Sequence, residues 1–88
     1  MYEDDESRLD AAEQLAEHDP RGGAGAFSAI ARDGSVGDEV RLSAAEQLAA
    51  VAPGVAGPAC LAIACDGSVG DEVRLAAAEQ LAVLGPSA

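Results

Sequence analysis

The sequence predicts an all-α fold built from repeated helical units, and three observations support this prediction. A nine-residue pattern beginning Arg-Leu and ending Glu-Gln-Leu-Ala occurs at Arg8–Ala16, Arg41–Ala49 and Arg74–Ala82, so the period is 33 residues. Prolines keep the same interval, at Pro20, Pro53 and Pro86. Alanine, the strongest helix former, supplies 21 of the 88 residues. A fixed period of this length is typical of stacked units, each too small to bury its apolar face alone.

Each repeat is predicted to contain one long helix, at about residues 5–17, 37–51 and 70–84. In the second and third copies, Ser-Val-Gly-Asp precedes an Ala/Leu/Glu/Gln run, and a hydroxyl followed three residues later by a carboxylate is a helix-capping signature. Each run ends before a proline, which disfavours helical geometry in the residue that precedes it.

Two shorter helices are predicted between the long ones, at Gly22–Arg32 and Val55–Cys65, because each stretch has an apolar centre and is followed by Asp-Gly. The expected organisation is a single domain over residues 1–88, with a first long helix at about 5–17 and repeats at about 20–52 and 53–85. Only 19 residues are Val, Leu, Ile, Met or Phe, which favours closely packed small helices over a thick core.

At 100° per residue, the third long helix has two apolar faces, which predicts that this helix is packed between neighbours. One face carries Val73, Ala77, Leu81 and Leu84, and the other carries Leu75, Ala78 and Ala82. The remaining sector carries glutamates seven residues apart, which stacking would align into an acidic ridge: Glu6, Glu13, Glu39, Glu46, Glu72 and Glu79. The ridge is a candidate binding surface, and the alternative is a solvated face that keeps an alanine-rich protein in solution.

Composition excludes several classes of function. The chain has five arginines, no lysine and 16 acidic residues, for a formal charge of −11, which argues against direct binding to nucleic-acid phosphates. No apolar run approaches the ~20 residues needed to span a bilayer, and the first residues are acidic, so we expect a cytoplasmic protein without membrane contact. Cys60 and Cys65 match no redox or zinc motif and are expected to be small apolar residues in a reducing compartment.

No pattern of catalytic or cofactor-binding residues stands out. The single histidine, His18, lies between two acidic residues at the end of the first helix, where a cation suits the helix dipole. The chain has no phosphate-binding Gly-Lys loop and no second histidine to activate a serine or cysteine. We therefore expect no enzyme activity, no catalytic residue, no metal site and no cofactor.

The segments Glu39–Ala49 and Glu72–Ala82, with the pattern Glu-Val-Arg-Leu-x-Ala-Ala-Glu-Gln-Leu-Ala, resemble the second helix of HEAT-like repeats of the bacterial type also found in phycobilin lyases. The resemblance covers Asp5 to Gly85 and implies a short right-handed α-solenoid of about two and a half repeats. The period is short for this class, and ankyrin-like stacking is the alternative, although its Thr-Pro-Leu-His signature is absent.

The same resemblance implies that an inter-repeat ladder is formed by the first arginine of each long helix and by acidic residues of the turns. The candidate arginines are Arg8, Arg41 and Arg74, and the candidate carboxylates are Asp33 or Asp38 and Asp66 or Asp71.

The expected function is a non-catalytic protein-interaction module with a protein partner, which the acidic ridge suggests is basic. The alternatives are an accessory protein like the bilin lyases and an acidic mimic of nucleic acid. A chain of this size with open terminal helices is also expected to form a homo-oligomer, with a closed dimer favoured over filaments because of its charge.

Overall fold

The computed structural model describes residues 4–84, which form five α-helices: α1 (Asp5–His18), α2 (Pro20–Ala31), α3 (Asp38–Val51), α4 (Pro53–Ala64) and α5 (Asp71–Leu84). No strand occurs within this range, so the predicted all-α fold with five helices is confirmed. None of these helices is long and apolar enough to cross a membrane. Pro86 and the predicted end of the last repeat lie outside the described residues.

The long helices begin and end within one residue of their predicted bounds, but the short helices begin two residues earlier than predicted, at Pro20 and Pro53. Proline is suited to the first turn of a helix, because its fixed φ is helical and the missing N–H would have no partner there. Asp19 forms the corner between α1 and α2. Its backbone N–H donates to the Leu15 carbonyl at 2.7 Å, and its carboxylate accepts from the Gly22 N–H at 3.1 Å.

The capping signature assigned to Ser35 and Ser68 is wrong. Gly37 is the N-cap of α3, and the hydroxyl of Ser35 donates to the Asp33 carboxylate at 2.6 Å instead. Ser68 and Asp66 repeat this contact at 2.6 Å. Each serine lies two residues after an aspartate, close enough for the turn to close on itself before the helix starts.

The helices form two layers. The long helices α1, α3 and α5 lie side by side in chain order, and the short helices α2 and α4 pack against each other and against the long helices next to them in the chain. Helix α3 contacts all four others. The central part of the chain is therefore the best buried.

Alanine makes up half of the 14 buried apolar residues, in agreement with the predicted thin core. The largest fully buried side chains are Phe27, Leu48, Ile63 and Cys60. The turns also contribute to the core through Val36 and Val69, which are buried although they precede the helices.

The prediction of two covered faces on α5 is wrong for one of them. Leu75 is 61% exposed, and Ala78 and Ala82 are also exposed, whereas the equivalent Leu42 and Ala45 of α3 are half-buried and buried. The difference arises because α4 and α5 follow α3, while no described helix follows α5.

Candidate functional site

The most deeply buried charged side chain among residues 4–84 is that of Arg41, in the first turn of α3. Its side chain is only 3% exposed. Its Nε donates to the Ala31 carbonyl at the end of α2 at 2.9 Å, and one Nη donates to the Asp66 carboxylate at 2.8 Å. Arg41 thus joins α2 and α3 within its own repeat and reaches the turn between α4 and α5 of the next repeat.

Arg8 and Arg74, the equivalents of Arg41 in α1 and α5, each make one of the two contacts that Arg41 makes. One Nη of Arg8 donates to the Asp33 carboxylate at 3.2 Å, and Nε of Arg74 donates to the Ala64 carbonyl at 3.2 Å. The arginine partners are therefore Asp33 and Asp66, which were one of the two alternatives, and not Asp38 and Asp71.

Asp38 joins the repeats by a different contact. Its carboxylate accepts from the Gly70 N–H at 2.9 Å, and Asp5 accepts from the Gly37 N–H at 2.8 Å in the same way. Asp71 occupies the equivalent position in α5, after which the described chain contains no further turn. This contact was missed at the sequence level, although Asp5, Asp38 and Asp71 recur at the period of the repeat.

The turn carboxylates are strongly stabilised in their charged form. The pKa of Asp33 is lowered to about 2, chiefly by hydrogen bonds from the hydroxyl and N–H of Ser35 and then by Arg8. The pKa of Asp66 is lowered further, first by the Ser68 hydroxyl and then by Arg41. Both groups stay ionised far below neutral pH.

Acid should weaken this arrangement in a defined pH range. Because the folded-state pKa of Asp33 and Asp66 lies below the unfolded value of about 3.9, their contribution to stability is complete above that value and is lost as pH falls towards 2 and below. We expect Asp66→Asn to lower the urea midpoint of unfolding at pH 6, and this difference from the parent chain to shrink steadily between pH 4.5 and about pH 2. A difference that is independent of pH would show that ionisation of Asp66 does not stabilise the fold.

The acidic ridge residues lie on the three long helices. Glu6, Glu39 and Glu72 are exposed in the first turns of α1, α3 and α5, and Glu46 and Glu79 are exposed two turns further along α3 and α5. Glu13 differs, because it is partly buried and its carboxylate accepts from the Gln47 side-chain amide of α3 at 2.6 Å. Five of the six carboxylates are thus exposed, while Glu13 joins α1 to α3.

A groove of about 320 Å³ lies between α1 and α3, next to the ridge residues Glu6 and Glu39. Its charged rim is formed by Glu6, Asp10 and Glu39, and Leu9 and Val40 supply apolar surface. Ser43 completes the lining. Three carboxylates around apolar side chains, with no basic residue in the lining, form an environment suited to a cationic side chain with an apolar stem.

The two cysteines and the histidine do not line the acidic groove. Cys60 is fully buried in α4, and burial, followed by the negative charge of Glu46, raises the pKa of its thiol. Cys65 is exposed at the end of α4, and His18 is exposed at the end of α1. Among residues 4–84, no three His, Cys, Asp or Glu side chains are grouped so that they could hold a metal ion.

Comparison with known proteins adds no assignment: no family model matches this chain, and the searches of curated proteins and of solved structures also find no match.

Proposed function

We propose that this chain is a non-catalytic protein-interaction module, built as a short right-handed α-solenoid of HEAT-like repeats. The recurrence of contacts supports the repeat arrangement. The pairs Arg8–Asp33 and Arg41–Asp66 are both 25 residues apart, and the bonds of Asp5 to Gly37 and of Asp38 to Gly70 both span 32 residues. Equivalent residues therefore make equivalent contacts from one unit to the next, as in a solenoid.

The acidic groove between α1 and α3 carries the functional proposal. Its carboxylates are not used to hold the helices together, since neither Glu6 nor Glu39 makes a side-chain hydrogen bond within residues 4–84. The partner is a protein that offers arginine or lysine side chains to the carboxylates and their alkyl stems to Leu9 and Val40. Charge complementarity of this kind raises the rate of association and selects against acidic partners.

Neutralising the groove should weaken partner binding without unfolding the protein. We expect Glu39→Gln to lower recovery of the partner from a native extract about 2- to 5-fold, and Glu6→Gln/Glu39→Gln to lower it further, because each exposed charge pair contributes roughly 0.2–1 kcal/mol. Captured proteins are quantified by mass spectrometry, and helicity is checked by circular dichroism.

Glu17→Gln is the matched control, because it removes the same charge from an exposed position of a long helix that does not line the groove. Equal recovery by the parent chain and the double variant, or no protein captured above bare resin, would contradict the proposal. Recovery of DNA-binding proteins that are released by modest salt would favour mimicry of nucleic acid. The lyase-like alternative predicts a pocket with a nucleophile or aromatic walls, and Cys60 and Cys65 are the candidate nucleophiles. The burial and raised pKa of the Cys60 thiol count against that residue.

We also propose that the chain forms a symmetric dimer through its C-terminal end. Leu61 on α4 and Leu75 and Val83 on α5 are 52%, 61% and 78% exposed. Leu84, by contrast, is half-buried against the core, so a charge at that position would disturb the fold itself. These three exposed apolar side chains are the residues that an isologous contact at this end would cover.

Light scattering over a concentration series tests the dimer. We expect the mass to approach twice that of the chain at high micromolar concentration, and Leu75→Gln/Val83→Gln to restore the monomer mass. A monomer mass at all concentrations would disprove self-association, and mass that grows without limit would replace the dimer by a filament.

A further inference from the structure

A second groove, of about 280 Å³, lies between α1 and α2. It is largely apolar and is lined chiefly by Arg8, Ala11, Leu15, Ala26, Ala29 and Ile30. Leu15 is 42% exposed, and Ala11 and Ala29 are also exposed. The groove is separate from the acidic groove, which lies between α1 and α3.

The residues that line this groove have equivalents 33 positions later, in α3 and α4, and there another helix covers them. The equivalents are Arg41, Ala44 and Leu48 of α3 and Ala59, Ala62 and Ile63 of α4. Leu48 is 0% exposed, and Ala44, Ala59 and Ile63 are also fully buried. The occupant of this internal groove is α2, which packs against both α3 and α4 and whose last carbonyl, that of Ala31, accepts from Arg41. Helix α5 also contacts α3 and α4, but it does not fill this groove. Helix α3 makes the equivalent contacts with α1 and α2, and the α1/α2 groove is nevertheless open. Helix α5 therefore packs on a different face of α3 and α4.

Arg8 shows that the α1/α2 groove has a polar end as well as apolar walls. In the two later copies, Nε of the arginine donates to the carbonyl at the end of the preceding short helix, Ala31 for Arg41 and Ala64 for Arg74. Arg8 has no preceding short helix in the described chain, and it hydrogen-bonds to Asp33 through one Nη. Its side chain is 33% exposed, against 3% for Arg41. The groove therefore combines an apolar trough with a donor placed for a helix C-terminus.

We propose that the α1/α2 groove binds a short apolar helix of a different polypeptide, in the position that α2 takes on α3 and α4, with the C-terminal carbonyl of that helix on Nε of Arg8. Helix α2 defines the chemistry of the occupant: about three turns, with small residues that allow close approach and a large apolar side chain near the middle. No acidic side chain lines the groove, so an apolar helix meets no uncompensated carboxylate there.

A folded second copy of this chain does not provide such a helix. In a second copy, α2 and α4 are already packed against their own long helices, α3 and α5, through the face that would have to meet α1. This packing favours an occupant from another protein over a second copy of this chain.

A synthetic peptide with the sequence of residues 19–33, acetylated and amidated, is the probe. Titrated into the ¹⁵N-labelled full chain, it should give saturable shifts of the Ala11, Leu15 and Ala29 amides and of the Arg8 Nε resonance, with a Kd of about 1 mM or tighter. A peptide of the same composition in scrambled order is the control for non-specific contact.

Two chain variants locate the site. Ala11→Gln places a long side chain in the groove at an exposed helical position and should weaken peptide binding at least about tenfold, with little effect on folding. Ala50→Gln makes the same change at an exposed position of α3 outside the groove and should leave binding unchanged. Shifts that are absent, that map elsewhere, or that are equal for both variants would overturn the proposal. It would also fall if the parent chain dimerised and Ala11→Gln abolished the dimer, because a second copy would then occupy the groove.

A fused chain tests the same fit when the free peptide is poorly helical. Residues 53–70 placed directly before Asp5 supply a short helix and its natural turn at high effective concentration. The fusion should slow amide hydrogen exchange in α1 by about tenfold or more, and Ala11→Gln should cancel the gain. Exchange in α1 no slower than in the parent chain would show that the groove does not accept a helix of this type.

Discussion

Replacing Arg41 with alanine is expected to destabilise the protein by about 3–5 kcal/mol, enough to unfold much of a small domain. The variant removes two charge-assisted hydrogen bonds, to the Ala31 carbonyl and to Asp66, and leaves a void where a nearly fully buried side chain lay. Urea unfolding followed by circular dichroism measures the loss. If Arg41→Ala is already unfolded in buffer, Arg41→Lys, which keeps the charge but cannot make both contacts, gives a smaller loss that can be measured.

Arg8→Ala is the matched control for Arg41. It removes the equivalent arginine and its hydrogen bond to Asp33, but this side chain is one-third exposed and makes no contact with a preceding helix. We expect a loss below about 1 kcal/mol, as for other solvent-exposed ion pairs. Equal losses for the two variants would mean that burial between repeats does not set the strength of the arginine contacts.

Gly23→Ala should be the most damaging glycine substitution in α2. A Cβ at this position would lie 2.3 Å from the Cβ and 2.4 Å from the Cα of Ala16, so α1 and α2 would have to separate. We expect the overpacking cost, about 3 kcal/mol, to exceed the gain of up to about 1 kcal/mol from replacing a helical glycine. The free energy of unfolding in urea and loss of hydrogen-exchange protection in α1 measure the effect.

Gly25→Ala, in the same helix, separates steric clash from helix propensity. A Cβ at Gly25 meets nothing within 4 Å, so the substitution should raise stability by about 0.5–1 kcal/mol. If Gly23→Ala were also stabilising, the close contact of α1 with α2 would not be essential to the fold. The equivalent position in α4 is Ala56, which is fully buried, so α3 and α4 leave space for the methyl group that α1 and α2 exclude.

The sequence by itself determines the helical class, the period and the bounds of the long helices. These properties are local, because helix propensity of the Ala/Leu/Glu runs and the proline interval act within one unit. The seven-residue spacing of glutamates also predicts the acidic sector of the long helices. Five of these glutamates are exposed, as predicted: Glu6, Glu39, Glu46, Glu72 and Glu79. Whether the sector binds a partner stays a prediction.

Only the tertiary structure decided how identical residues differ from copy to copy. Arg8 and Arg41 stand in the same sequence pattern, yet one is one-third exposed and the other is buried. The reason is that α2 covers the Arg41 face of α3, while no described helix covers the equivalent face of α1. Leu42 and Leu75 differ for the same reason at the other end. The choice of Asp33 and Asp66 as arginine partners likewise depends on how the turns approach the next helix. Burial and pairing are properties of neighbours in space, and a repeated sequence contains the same residues at each unit whether or not a neighbour is present.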